Sequence, residues 1–148
     1  MFVTAGAGFL LAVLWFDLMF DVQVLRRRGG APPERSLASI AAYYRRVTTE
    51  ARPMSVLVGI VMAGTLVAIV VQIVNDEAPD WAAWTSLGLA GAAILTAVSH
   101  TFPAARRLGA RRDPAPVQLR LARAVLRDHL FCLAAIGTVL TIQLAFVA

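Results

Sequence analysis

Four side chains carry the chemistry this sequence has to offer. Asp17 and Asp21 lie in one apolar stretch, His100 lies toward the end of a second, and His129 opens a third. Asp17 and Asp21 are four residues apart and so share one face of a helix. At about 1.5 Å of rise per residue, Asp21 lies roughly 7 Å and Asp17 roughly 13 Å from the Arg26 cluster. His100 lies roughly 9 Å from Arg106 by the same measure. Three segments therefore bring carboxylates and the only two histidines of the chain to a similar depth. Asp128 and Glu50 stand as outer partners of this cluster, and Tyr43 and Tyr44 approach it from a neighbouring loop segment. Thr96 and Ser99 add hydroxyls.

Two carboxylates with two imidazoles form a ligand set for zinc, iron, manganese or nickel. At membrane depth the same residue types also build proton relays and cation pathways. A single Asp at the centre of a membrane span costs about 2.5–3.5 kcal/mol to insert, so two on one face must point into a bundle or a watery cavity. Buried acid–imidazole pairs can also fix helix register without performing any chemistry. The sequence contains neither HExxH nor paired Glu-x-x-His helices. Its lone cysteine, Cys132, excludes an internal disulfide or a CxxC redox pair.

The elements that must position these groups follow from hydropathy. Hydrophobic residues make up 59% of the 148 and charged residues 16%, far from the half-apolar, quarter-charged mix of a soluble domain. Apolar stretches at about 2–25, 54–74, 81–102 and 129–148 each approach the 20 residues or so that a bilayer core requires. The expected fold is an all-α, integral-membrane, four-helix bundle in a single domain. Small residues such as Gly6, Gly8, Gly59, Gly64, Gly88 and Gly137 supply the close helix contacts.

Charge sets the expected orientation. All 14 basic residues are Arg and lie between Arg26 and Arg52 or between Arg106 and Arg127. The connector from Asn75 to Asp80 holds three acids and no base, and Trp81 and Trp84 follow it. By the positive-inside rule both Arg-rich loops are cytoplasmic and both termini lie outside, and the tryptophans mark the outer interface. Arg without Lys is read as the trait of a GC-rich bacterial genome, so the expected location is the bacterial inner membrane. Flanked by apolar runs, the arginines point to anionic lipid headgroups rather than to nucleic acid.

Within the loops, Ser36 is a candidate cap for a helix bearing Leu37, Ile40, Ala41, Tyr44 and Val47 on one face. Val117, Leu121, Ala124 and Val125 oppose Arg120, Arg123 and Arg127 in the same way. This predicts two amphipathic helices at the inner surface, the second continuous with the last span. Each half then reads span, basic turn, amphipathic helix, span, which predicts a 2+2 parallel repeat.

The leading expectation is a divalent-metal site built from Asp17, Asp21, His100 and His129. It would serve transport, sensing or catalysis on a lipophilic substrate. The alternatives are an accessory or scaffold subunit in which the cluster is structural, and a proton-coupled transporter. A transporter of only four helices would work as a homo-oligomer or within a larger membrane complex.

Overall fold

The computed structural model describes residues 1–25 and 34–147. The expected Arg26-Arg27-Arg28 cluster and the Gly29–Pro33 turn lie outside the described residues, as does Ala148 at the end of the fourth apolar stretch. The described chain is helical, with no strand. In order come α1 (Phe2–Asp21) with a 3₁₀ turn at Val22–Leu25, α2 (Glu34–Arg45) with a π-helical turn at Arg46–Glu50, and α3 (Arg52–Val74). They are followed by α4 (Asp80–Thr96) with a π-helical turn at Ala97–Thr101, α5 (Phe102–Ala110) and α6 (Ala115–Phe146). Four of the resulting helical segments are long and apolar enough to cross a membrane: Phe2–Leu25, Pro53–Val74, Asp80–Ala110 and Ala115–Phe146.

The long helices close into a ring in which α1 packs on α3, α3 on α4, α4 on α6, and α6 back on α1. The short connector 75–79 makes α3 and α4 antiparallel neighbours. One core layer joins Val3, Ala7, Leu10, Ile69, Ala90, Ala93, Ala135, Ile136 and Val139 between the long helices. A second layer sits at the arginine-rich end, where Leu37, Ile40 and Tyr44 of α2 meet Ala104, Ala105 and Leu108 of α5 and Ala122 and Val125 of α6.

The third apolar stretch does not stop at Pro103. A proline lacks the N–H that an α-helix interior needs. Here the π-helical turn at Ala97–Thr101 resets the hydrogen-bond register just before it, and Pro103 falls in the first turn of α5, where no such donor is required. The helical path therefore runs on to Ala110. It ends at Arg111, whose φ of 52° places a non-glycine residue in the left-handed region, with the guanidinium paired to Glu34 at the start of α2. Similarly, α2 begins at Glu34, so Ser36 lies inside the helix and is buried rather than capping it.

A glycine sets the distance between α2 and α5. A Cβ on Gly109 would lie 2.7 Å from the Arg45 nitrogen, 2.9 Å from its Cα and 3.0 Å from the Tyr44 carbonyl carbon. Only a residue without a side chain lets the two backbones come this close. That contact seats the turn of α2 that carries Tyr44.

At the opposite, acidic end, three buried polar residues form a chain. Gln72 Nε2 on α3 donates to Gln143 Oε1 on α6 at 3.0 Å, and Gln143 Nε2 donates to Ser86 Oγ on α4 at 3.3 Å. The hydroxyls of Thr96, Ser99, Thr138 and Thr141 each donate to the carbonyl four residues earlier. That arrangement satisfies a hydroxyl within its own helix.

Candidate functional site: an acid–imidazole–tyrosine cell

The four candidate residues fall into two cells on either side of α6, because Asp128 and His129 are consecutive and point about 100° apart. On the α1 side, His129 Nδ1 lies 2.6 Å from Asp21 Oδ2, and His129 Nε2 lies 3.8 Å from Asp17 Oδ2. On the α4 side, His100 pairs with Asp128, which also accepts from Thr101 Oγ1 at 3.4 Å and lies 3.6 Å from Arg127. The π-helical turn of residues 97–101 advances the helix by more residues per turn than an α-helix does. His100 therefore leaves the direction that regular helical spacing assigns it. Its side chain is 53% exposed. Glu50 is likewise placed elsewhere, pairing with Arg45 at 3.1 Å on the surface.

Two phenols from α2 complete the first cell. Tyr43 donates to Asp17 Oδ1 and Tyr44 to Asp21 Oδ1, each at 2.5 Å. Phe20 stacks on Tyr43, with ring centroids 4.0 Å apart. Asp21 thus has both oxygens occupied, one by Tyr44 and one by His129, and its side chain is fully buried. Among the described residues, Asp17 Oδ2 meets only His129 Nε2, at 3.8 Å, and its side chain is 16% exposed. The cell is closed at Asp21 and opens at Asp17.

A contact of 2.6 Å between a nitrogen and a carboxylate oxygen needs one proton, and the Tyr44 hydroxyl has already donated its own to Asp21. With Asp21 ionised, that proton sits on His129 Nδ1 and Nε2 is the nitrogen left facing Asp17. A carboxylate behind one ring nitrogen orients the imidazole and raises the basicity of the other. Among the described residues, no three His, Cys, Asp or Glu side chains form a group able to hold a metal ion. The open end of the cell presents one nitrogen and one carboxylate, where a zinc site uses three or four protein ligands. Cys132 lies deeper, buried, with its thiol toward the Ala93 carbonyl at 3.5 Å.

Both phenols are held in their neutral form. Burial, followed by the charge of Asp17 and its hydrogen bond, pushes Tyr43 well above the usual tyrosine value of 10.0. Burial and then the charges of Asp21 and Asp17 push Tyr44 further still. Because the folded state keeps these protons where the unfolded chain gives them up, stability should be unaffected below pH 10 or so and fall as the pH rises beyond it. These are the only two tyrosines of the chain, so phenolate absorbance reads this cell directly. In an alkaline titration it is expected to appear together with loss of helicity. A phenolate signal near pH 10 with the helices intact would show the cell to be open.

No protein-family model, curated protein or solved structure matches this chain.

Proposed function

We propose that this chain is a multi-pass, proton-handling membrane protein in which His129 Nε2 takes up and releases a proton at the arginine-rich end of the bundle. One observation carries the reading: Asp21 binds Nδ1 from behind at 2.6 Å, and Asp17 faces the free nitrogen at 3.8 Å. A proton needs only one basic atom and a neighbouring acid to pass it to, and this cell supplies both. Asp21 is the positioning residue, His129 the carrier, and Asp17 the partly exposed relay toward the surface. Tyr43 and Tyr44 fix the carboxylates from α2. This is the chemistry of a proton-coupled transporter or of a proton sensor.

The charge pattern supports a bacterial inner-membrane location. The arginine-rich loops and α2 would lie against anionic headgroups on the cytoplasmic side, with both termini outside. In each half a long helix, an amphipathic segment and a further long helix follow one another, which supports a 2+2 parallel repeat. In that repeat α2 corresponds to the first third of α6, the two surface-lying amphipathic segments, and His100 corresponds to Asp21.

A second reading has a specific observation behind it. An Asp–His pair with a free Nε2 also orients metal-ligating imidazoles, so His129 and Asp17 are the two residues that would begin a divalent-metal site. Solvent or a second copy would have to supply the remaining ligands.

The deciding experiment is nuclear magnetic resonance of isotope-labelled histidine in the His100→Gln variant, run beside elemental analysis of the tag-free wild type. The proton reading expects a reversible titration of Nε2 with hydrogen retained on Nδ1, altered in Asp17→Asn, and metal at background. Near-stoichiometric metal that is lost in both Asp17→Asn and His129→Gln would replace it with the metal reading. An imidazole that neither titrates nor binds metal would reduce the cell to a helix lock in a scaffold protein.

A further inference from the structure

We propose that the outward face of α6 holds one anionic phospholipid, of the phosphatidylglycerol class, at the arginine-rich end of the molecule. The site rests on the membrane reading of the helices, confines a lipid to one stripe of one helix, and is independent of the proton cell. Arg120, Arg123 and Arg127 recur at helical spacing, which puts them on one face, and all three are exposed. Like charges so placed oppose the helix they stand on, so an anion between them is favoured. Nearby carboxylates are engaged elsewhere. Asp113 is taken by Arg107 at 2.9 Å, Glu34 by Arg111 and Glu50 by Arg45 at 3.1 Å, and the buried Asp128 pairs with His100. Among the described residues, Arg120 and Arg123 thus have no acidic partner. Arg127 has only an Asp128 oxygen at 3.6 Å, and its side chain is 75% exposed.

What continues the stripe decides the kind of anion. The same spacing carries it on to Leu130, Phe131, Ala134 and Thr138, all exposed, and no charged residue occurs from Leu130 to Phe146. The surface therefore changes from guanidinium to apolar within one turn of Arg127, about 6 Å along the axis. Ala134 and Thr138 are small, and the Thr138 hydroxyl is spent on the Ala134 carbonyl at 2.9 Å, so they offer an acyl chain an apolar bed beside Phe131. The neighbouring α5 repeats the pattern on a smaller scale, with Arg106 6.0 Å from the centroid of the exposed Phe102 ring. A nucleic acid, an acidic peptide or a soluble phosphate would use the arginines and leave the apolar continuation uncovered. An anionic phospholipid matches both parts, because guanidinium groups take phosphate oxygens in pairs and basic clusters beside membrane spans recognise anionic heads. A zwitterionic lipid would instead set its own ammonium group among the arginines.

The test is native mass spectrometry of the full chain in mild detergent, with phosphatidylglycerol, phosphatidylethanolamine and phosphatidylcholine added in equal amounts. One phosphatidylglycerol per chain is expected, retained about tenfold over either zwitterionic lipid. Arg123→Gln combined with Arg127→Gln should erase the preference. Arg45→Gln combined with Arg46→Gln removes the same charge from another exposed surface and should keep it. Ala134→Trp, an outward substitution, should lower phosphatidylglycerol retention while leaving the melting temperature unchanged. Equal retention of the three lipids would mark ordinary annular lipid and overturn the site. Equal loss in the two arginine pairs would reduce it to a diffuse field around the bundle and overturn it too. Undiminished retention in a folded Ala134→Trp, or displacement by excess soluble glycerol phosphate, would leave a phosphate contact with no seat for the chain, which also sinks the proposal. A chain that alkaline carbonate washes off the membranes of its expression host would overturn the membrane reading together with the site.

Discussion

Asp21→Ala should destabilise the detergent-solubilised protein by about 3–5 kcal/mol, the usual cost of removing one partner of a buried charged pair. The size follows from what the carboxylate holds. Tyr44 donates to one oxygen at 2.5 Å and His129 to the other at 2.6 Å, and all three residues are buried. Alanine would leave a phenol and an imidazole without partners in a site water does not reach, at about 1–3 kcal/mol for each orphaned group. Asp17→Ala should cost far less, because Asp17 is partly exposed and holds one phenol only. Thermal unfolding followed by circular dichroism tests the ranking. Equal losses in the two variants would mean that the two acids carry equivalent loads, contrary to the closed and open ends described for the cell.

Gly109→Ala is the second large effect expected, although it touches no member of the cell. The added methyl would enter the space of the Arg45 backbone at 2.7 and 2.9 Å, where backbone rather than a flexible side chain must yield. Overpacking of this kind costs about 1–3 kcal/mol, even though Ala favours a helix over Gly by about 1 kcal/mol. Since α2 must retreat, Tyr44 withdraws from Asp21 and its hydroxyl becomes easier to ionise. The alkaline phenolate titration should therefore move toward the ordinary tyrosine value in this variant. Gly59→Ala, where a Cβ meets nothing within 4 Å, should leave the titration unchanged and stability equal or slightly higher. If Gly109→Ala behaves like Gly59→Ala, the close approach of α2 and α5 does not set the position of the phenol.

The architecture is legible in the sequence because bilayer-scale apolar runs need no partner to be recognised. The convergence of Asp17, Asp21 and His129 is legible for a related reason. A polar group in an apolar helix has few places to go, and their depths can be counted from the arginines. The approach of Tyr44 follows from the stripe it shares with Leu37 and Ile40. Helix counting fails at His100, where a π-helical turn redirects the side chain toward Asp128. It fails again at Pro103, which reads as a stop and instead begins a new helical turn. An interhelical hydrogen bond for each of Gln72 and Gln143 is legible from two amides in apolar helices, but their pairing with each other is not. Nor is Ser86, since hydroxyls in such helices usually bond their own backbone. Gly109 sits unremarked in a loop segment, because its role depends on which backbone crosses it.

The split of Asp128 and His129 to opposite sides of α6 has a mechanical consequence. One neighbour, α1, offers α6 only acids at this level, and the other, α4, offers a base. The last helix is therefore keyed like a shaft in a slotted hub. Turning it by one residue, about 100°, would swing Asp128 toward Asp17 and Asp21 and set three carboxylates against one another. Like charges brought together disfavour the ionised form of each, so with the acids charged this angular setting of α6 is preferred over its neighbours. Tilting of whole helices and lifting of α2 leave that setting intact. The second of these draws both phenols off the carboxylates in a single stroke.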